Sequence, residues 1–263
     1  MTRVQESAGE LLRRWRGHRR MTQLDLANRA EVSTRHVSFL ETGRAKPTRA
    51  MLLRLGEHLD IPLRDRNALL LAAGFAPAFP EHTLSDVPMA VVADAIRTIL
   101  DAHAPMPALV VDRHWNLVDA NDTVALLTDG AAHWLLEPPV NVLRLSLHPD
   151  GMAPRITNLG QWRAHVLHRL DHQIDATGDA ELRRLRAELA DYPGGIDAAG
   201  PGPALVVPLR VRVGEHDLAF LSTTTVFGTP LDVSVSELAI ETFFPADGAT
   251  AEYLAAQHPR SDH

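Results

Sequence analysis

Cysteine is absent from this chain of 263 residues. That excludes disulfides, thiolate metal sites and thiol chemistry. Lysine is almost absent as well, since Lys46 is the single lysine among 26 basic residues. No apolar run reaches the roughly 18 residues that a spanning helix needs. The first residues lack the apolar core of a secretory signal. The expectation is therefore a cytoplasmic protein with no membrane partner. The phosphate-cradling, dinucleotide-binding and nucleophile-elbow glycine motifs are also missing. Neither an H-E-x-x-H nor a second cluster at ligand spacing is present. Expected catalytic residues, metal site and cofactors are accordingly none.

What is there fits a globular protein, with 45% apolar and 22% charged residues. Its length suggests about two domains. The net charge of −7 conceals an asymmetry. Residues 1–80 hold 14 Arg and Lys against 8 Asp and Glu, a net +6, whereas residues 81–263 hold 12 against 25, a net −13. A basic module joined to an acidic one fits nucleic-acid contact through the first part alone.

Within that basic part, Glu6 to Arg16 reads as a helix anchored by Leu12 and Trp15. Thr22 is suited to cap a second helix, Gln23 to Arg29, with Leu24, Leu26 and Ala27 on its inner side. Ala30, Glu31 and Val32 form a turn, and Val32 plugs the angle between helices. Ser33 caps a third helix to about Glu41, with Val37 and Leu40 inward, and Gly43 ends it. Two further amphipathic helices, Arg49 to Leu59 and Asp65 to Ala73, are punctuated by Pro62 and Pro77. Two short helices across a tight turn, followed by a basic segment, have the layout of a helix-turn-helix.

The stretch TQLDLANRAEVSTRHVSFLETGRAKPT resembles the Xre, or phage-repressor, type of helix-turn-helix. It shares the T-Q-x-x-L-A, V-S and L-E-x-G-R-x-x-P elements, and the likeness covers about residues 5–75. It implies an all-α five-helix domain whose third helix enters the major groove of a double-stranded DNA operator. By that resemblance Thr34, Arg35 and Phe39 face bases: Arg35 forks to a guanine, and Phe39 either covers a thymine methyl or belongs to the core. Gln23 meets a phosphate at a helix N-terminus. His36, Thr42, Arg44 and Lys46 are further phosphate-contact candidates. Arg16 and Glu41 match positions that form an internal ion pair, so Glu41 reads as structural.

Beyond the head, Ala76 to Pro88 reads as a linker, with Ser85 or Asp86 capping a helix from Met89 to Ala102. That helix connects the domains or pairs with its copy in a dimer. The period then changes. PALVVDRHWNLVDAN reads as strand (Ala108–Asp112), turn at Arg113-His114, strand (Trp115–Asp119) and a short helix capped by Asn121. Two amphipathic helices follow, with Leu159, Trp162, Val166, Leu170 and Ile174 on one and Leu182, Leu185, Leu189 and Tyr192 on the other. Strands are expected over Ala204–Val213, Asp217–Val226 and Val233–Phe244. The order suggests an antiparallel sheet with helices against one face. At about 100° per residue, His165, His168 and His172 fall at roughly 240° to 300° from Trp162, with the apolar set near 70°. The three histidines are thus expected on a solvated face beside Asp171 and Asp175.

Residues 105–245 resemble the MmyB-like ligand-binding domain that follows an Xre domain in many regulators. The carrying features are V-V-D-x-x-W-N-L-V-D-A-N, N-V-L-R-L at 141–145 and Q-W at 161–162. Paired terminal strands add to them. The segments 147–160 and 194–204 and the ending from Ser222 depart from that pattern. The resemblance implies an α+β PAS-like domain and a fatty-acid-like or other small apolar ligand. Trp115, Leu143, Arg144, Trp162 and Val166 are the pocket candidates, with Arg144, Arg155 and Arg163 as possible polar anchors for an acidic head.

The expected organisation is a helix-turn-helix domain (1–76), a linker and connecting helix (77–104), the ligand-binding domain (105–250) and a tail (251–263). The fold class is α+β overall. The expected function is operator binding by a homodimer under control of the ligand. The alternative is a second domain that serves protein interaction or dimerisation without a small ligand.

Overall fold

The computed structural model describes residues 6–195 and 206–257. The start of the strand expected from Ala204, most of the 194–204 segment and the last six residues of the expected tail lie outside the described residues. Contacts divide the chain into two units. One runs up to His82 and includes Pro230–Ser236; the other comprises Thr83–Thr229 and the chain from Glu237 on.

The first unit is built on five helices, α1 (Ala8–His18), α2 (Gln23–Arg29), α3 (Thr34–Glu41), α4 (Arg49–His58) and α5 (Leu63–Ala72). Four begin at a hydroxyl side chain that accepts from the backbone N–H three residues on: Ser7, Thr22, Ser33 and Thr48. Each such cap is worth ~1 kcal/mol. In α1 and α2 the bond is reciprocated by Glu10 and Asp25, which accept from the cap's own N–H. Leu12, Trp15, Leu26, Ala27, Val37, Leu40, Leu55 and Leu69 fill the core, and Val32 packs half-buried against it. The chain expected to be a linker is tied to this unit: Asn67 accepts from the N–H groups of Ala78 and Phe79 and donates to the Phe79 carbonyl.

The second unit holds a five-stranded antiparallel sheet, from β1 (Ala108–Val111), β2 (Leu117–Ala120), β3 (Leu209–Val213), β4 (His216–Val226) and β5 (Ala239–Pro245). Its strand order is β2-β1-β5-β4-β3. All four residues of β1 are buried, because helices cover both faces rather than one. On one side, α6 (Ala90–His103) packs Ile96 and Leu100 onto Ala108, Val110 and Ile240. The helix expected to connect domains is thus an integral layer of this unit. Burying each such side chain contributes about 1.5–3 kcal/mol. On the other side lie the short helices α7 (Ala125–Thr128) and α8 (Val142–Leu147), then α9 (Leu159–Thr177) and α10 (Ala180–Asp191). Together with Leu109, Val111, Phe220 and Phe243 they form the main core. Part of the expected tail is a helix, Gly248–Gln257, with Leu254 buried. No described helix is long and apolar enough to cross a membrane.

Several local expectations differ in the structure. Leu24, expected on the inner side of α2, is exposed. The strand expected over Val233–Phe244 opens instead with a short helix, Val233–Ser236, and starts at Ala239. Asn121 stands at the N-cap position of the short helical segment, but its side chain makes no capping bond. It is buried, and its carboxamide instead bonds to the Ala108 N–H and to the Leu100 and Met106 carbonyls. It thereby ties α6, β1 and the segment between them. Trp115 lies outside β2, in the connecting turn, at a φ of 68°. That left-handed backbone is unusual for a bulky residue. It is held by a bond from the Trp115 N–H to the Asp112 carbonyl and by another from the Val142 N–H to the Trp115 carbonyl.

Candidate functional site

In the first unit, α2 and α3 frame an exposed face. Arg35, Thr42, Arg44 and Lys46 are exposed, whereas Gln23, Thr34, His36 and Phe39 are half-buried. Arg35, Arg44 and Lys46 form no ion pair among the described residues, which leaves three cations on or just beyond α3 open to an anionic partner. Phe39 is outside the buried core. The guanidinium carbon of Arg35 stands 5.0 Å from the centre of its ring and that of Arg44 6.0 Å.

Behind this face sits one ionic knot. Arg16 donates to both carboxylate oxygens of Glu41, at 2.6 and 2.9 Å, and to the Met21 carbonyl at 2.8 Å. Gln23 donates to the same carboxylate at 2.8 Å. Burial pushes the Glu41 carboxyl up, but the bonds from Arg16 and Gln23 outweigh it and hold the group below its ordinary value. The knot braces α1, α2 and α3, and it fixes the side chain of Gln23 at the start of α2.

The second unit holds a partly open cavity of about 470 Å³, within the usual range for small-molecule pockets. Its wall includes Trp115, Leu143, Trp162 and Val166, four of the five residues predicted for it. Leu109, Leu117, Val124, Leu127, Leu145, Met152 and Phe243 complete a mostly apolar lining. The fifth candidate, Arg144, is not on the wall. Its guanidinium pairs with Glu188 on α10 at 2.7 and 2.9 Å. Arg155 donates to the Leu127 carbonyl, and buried Arg163 donates to the carbonyls of Tyr192, Pro193 and Gly195. All three arginines proposed as anchors are spent on structure.

The arginine on the wall is Arg169. It donates to both carboxylate oxygens of Glu241 and to the Thr224 hydroxyl, and its charge lies 4.5 Å from the centre of the Trp115 ring. Glu241 is buried on β5, also at the wall. Arg169 follows Trp162 by seven residues, which at about 100° per residue places it roughly 20° from Trp162, at the edge of the apolar stripe of α9. Glu241 shares β5 with Ile240, Thr242, Phe243 and Phe244, a mostly apolar strand in which a buried carboxylate requires a partner.

His165 corrects another expectation. Rather than facing solvent, it lines the cavity, stacked against Trp162 with ring centres 5.4 Å apart. Burial, then the charge of Arg169, hold its imidazole below the ordinary value. His168 and His172 are exposed, with their Nε2 atoms 3.0 Å apart. Among the described residues no group of three or more potential ligands is placed to hold a metal ion.

Comparison with known families follows this division. Residues 7–69 match a helix-turn-helix domain, and residues 92–256 match the MmyB-like transcription regulator ligand binding domain. Both are regulatory rather than enzymatic families. No curated protein matches the chain. Because the second match spans more than half of the sequence, the chain belongs to the MmyB-like transcription regulators, with a helix-turn-helix DNA-binding domain ahead of a ligand-binding domain.

Proposed function

We propose that the chain is a cytoplasmic, homodimeric regulator that binds a specific operator through α3 and responds to a small apolar molecule held in the cavity. Thr34, Arg35 and Phe39 contact base edges. Gln23, His36, Thr42, Arg44 and Lys46 contact phosphates and set the register. A twofold dimer would present two recognition helices to half-sites about one DNA turn, roughly 34 Å, apart. Ligand control requires only that the cavity's occupant bind the DNA-competent and incompetent states unequally.

The observation that carries this reading is the apolar cavity in a domain attached to a head with unpaired cations on its recognition face. Ala125 supplies the test, because it lines the cavity yet is itself exposed, so Ala125→Trp can block the space without disturbing the core. Organic extraction and mass spectrometry of the purified full chain should yield an apolar molecule from the wild type and none from Ala125→Trp. A wild-type protein that is empty and also fails to take up the apolar dye Nile red would contradict the reading.

A further inference from the structure

We propose that the ligand of the cavity is uncharged: an apolar chain or ring system that carries a hydrogen-bonding but non-ionised head, such as an alcohol, ketone or ester. This deepens the proposed function and rests on the cavity being the ligand site.

The charge of the wall carries the inference. Four ionisable residues line the cavity: Asp122, His165, Arg169 and Glu241. Arg169 is the one fixed cation, and it is already engaged. Both oxygens of buried Glu241 accept from it, the Thr224 hydroxyl takes another bond, and the Trp115 ring lies against it. Register explains why this pairing is built in. Glu241 stands opposite Leu109 on β1 and Thr224 on β4, so the carboxylate and the hydroxyl share the sheet face that α9 covers. Asp122 adds a further negative charge at an exposed position of the wall.

No positive charge of the wall is therefore left over for an anion. A carboxylate entering the apolar lining would lose its hydration and meet Glu241 across a medium of low dielectric. The arginines that could have recruited it, Arg144, Arg155 and Arg163, are all turned to other partners. The other polar side chains of the wall carry no fixed charge: Asn121, Thr128, Ser146, Ser222 and His165. Asn121 and Thr128 are bonded to backbone groups, and the Ser146 hydroxyl accepts from the Trp162 indole. Burial and the charge of Arg169 both favour the unprotonated imidazole. These groups suit a neutral head that donates or accepts single hydrogen bonds.

Two probes of equal chain length test this on the full chain by isothermal titration calorimetry at neutral pH: dodecan-1-ol and dodecanoate. The alcohol should bind at least about tenfold more tightly than the carboxylate. In Glu241→Gln the preference should narrow or reverse. Arg169 is released there, so dodecanoate should gain about tenfold or more while dodecan-1-ol changes little. Wild-type protein that binds dodecanoate as tightly as dodecan-1-ol, or more tightly, would overturn the neutral-ligand inference and leave the apolar cavity as the ligand site. Binding of neither probe would overturn both. The wild-type comparison stands on its own even if Glu241→Gln fails to fold.

Discussion

The guanidinium of Arg35 lies over the ring of Phe39, its carbon 5.0 Å from the ring centre. Both side chains leave the same short helix, and Arg44 approaches the same ring from beyond its C-terminus. The aromatic ring is thus a platform that restrains two exposed cations on the recognition face. Arg35→Ala should weaken operator binding by ~1–3 kcal/mol and relax preference at one base position, read by mobility shift. Phe39→Leu keeps the bulk but removes the platform, worth ~0.5–1 kcal/mol at an exposed site, so it should lower affinity about twofold to fivefold. Unchanged affinity and preference in Arg35→Ala would contradict the assignment of α3.

Arg44 and Lys46, by contrast, are assigned to phosphates. Replacing either with alanine should weaken binding to all sequences about equally. Each change should also reduce the slope of log affinity against log salt by about 1. A change in base preference without a change in slope would show that the residue reads sequence instead.

The Arg16–Glu41 knot makes the head sensitive to acid. The folded-state carboxyl of Glu41 is held below its ordinary value of 4.5. The stability it contributes is therefore present above that value and is lost as pH falls below it. Thermal unfolding of wild type should show this loss, and Glu41→Gln should show a smaller dependence over the same range. Arg16→Ala leaves a buried carboxylate without its cation and should destabilise the head by roughly 3 kcal/mol. Equal acid sensitivity in wild type and Glu41→Gln would place the cause elsewhere.

Arg144 and Arg169 predict opposite outcomes. Arg144→Ala removes a partly exposed pair with Glu188 away from the cavity, so it should cost no more than ~1 kcal/mol of stability and leave ligand affinity unchanged. Arg169→Ala leaves Glu241 buried without its cation at the wall, and it should both destabilise the domain and weaken neutral-ligand binding. Calorimetry with dodecan-1-ol separates the two. Loss of binding in Arg144→Ala would return that arginine to the site.

Much of the head was legible because its signals are local. Thr22 and Ser33 announce their helices through bonds to N–H groups three residues away, and Ala27, Val37 and Leu40 mark the buried sides. The bracing of Glu41 by Arg16 spans 25 residues and was accessible only through family resemblance. In the second domain, helical periodicity pointed to Trp162 and Val166, and family resemblance to Trp115 and Leu143, but neither reached the polar end of the wall. Arg144 belongs to the N-V-L-R-L motif, whereas Arg169 lies at the edge of the apolar stripe beside Trp162, where phase alone does not separate a wall residue from a solvated one. Its partner Glu241 is 72 residues away, a pairing that only strand register reveals. Asn121 shows the same limit: a residue suited to capping is used instead to join α6 to β1, because α6 folds back on the sheet.

The most direct test of the account is the affinity of the full chain for an operator isolated from random duplex DNA. It should be measured by fluorescence anisotropy without ligand and with dodecan-1-ol or dodecanoate, whichever saturates the cavity. The account predicts one enriched sequence whose dissociation constant shifts by about 5- to 150-fold when the cavity is filled, and that does not shift in Ala125→Trp. An operator bound equally well with the cavity empty and full would contradict the claim that the second domain controls the first.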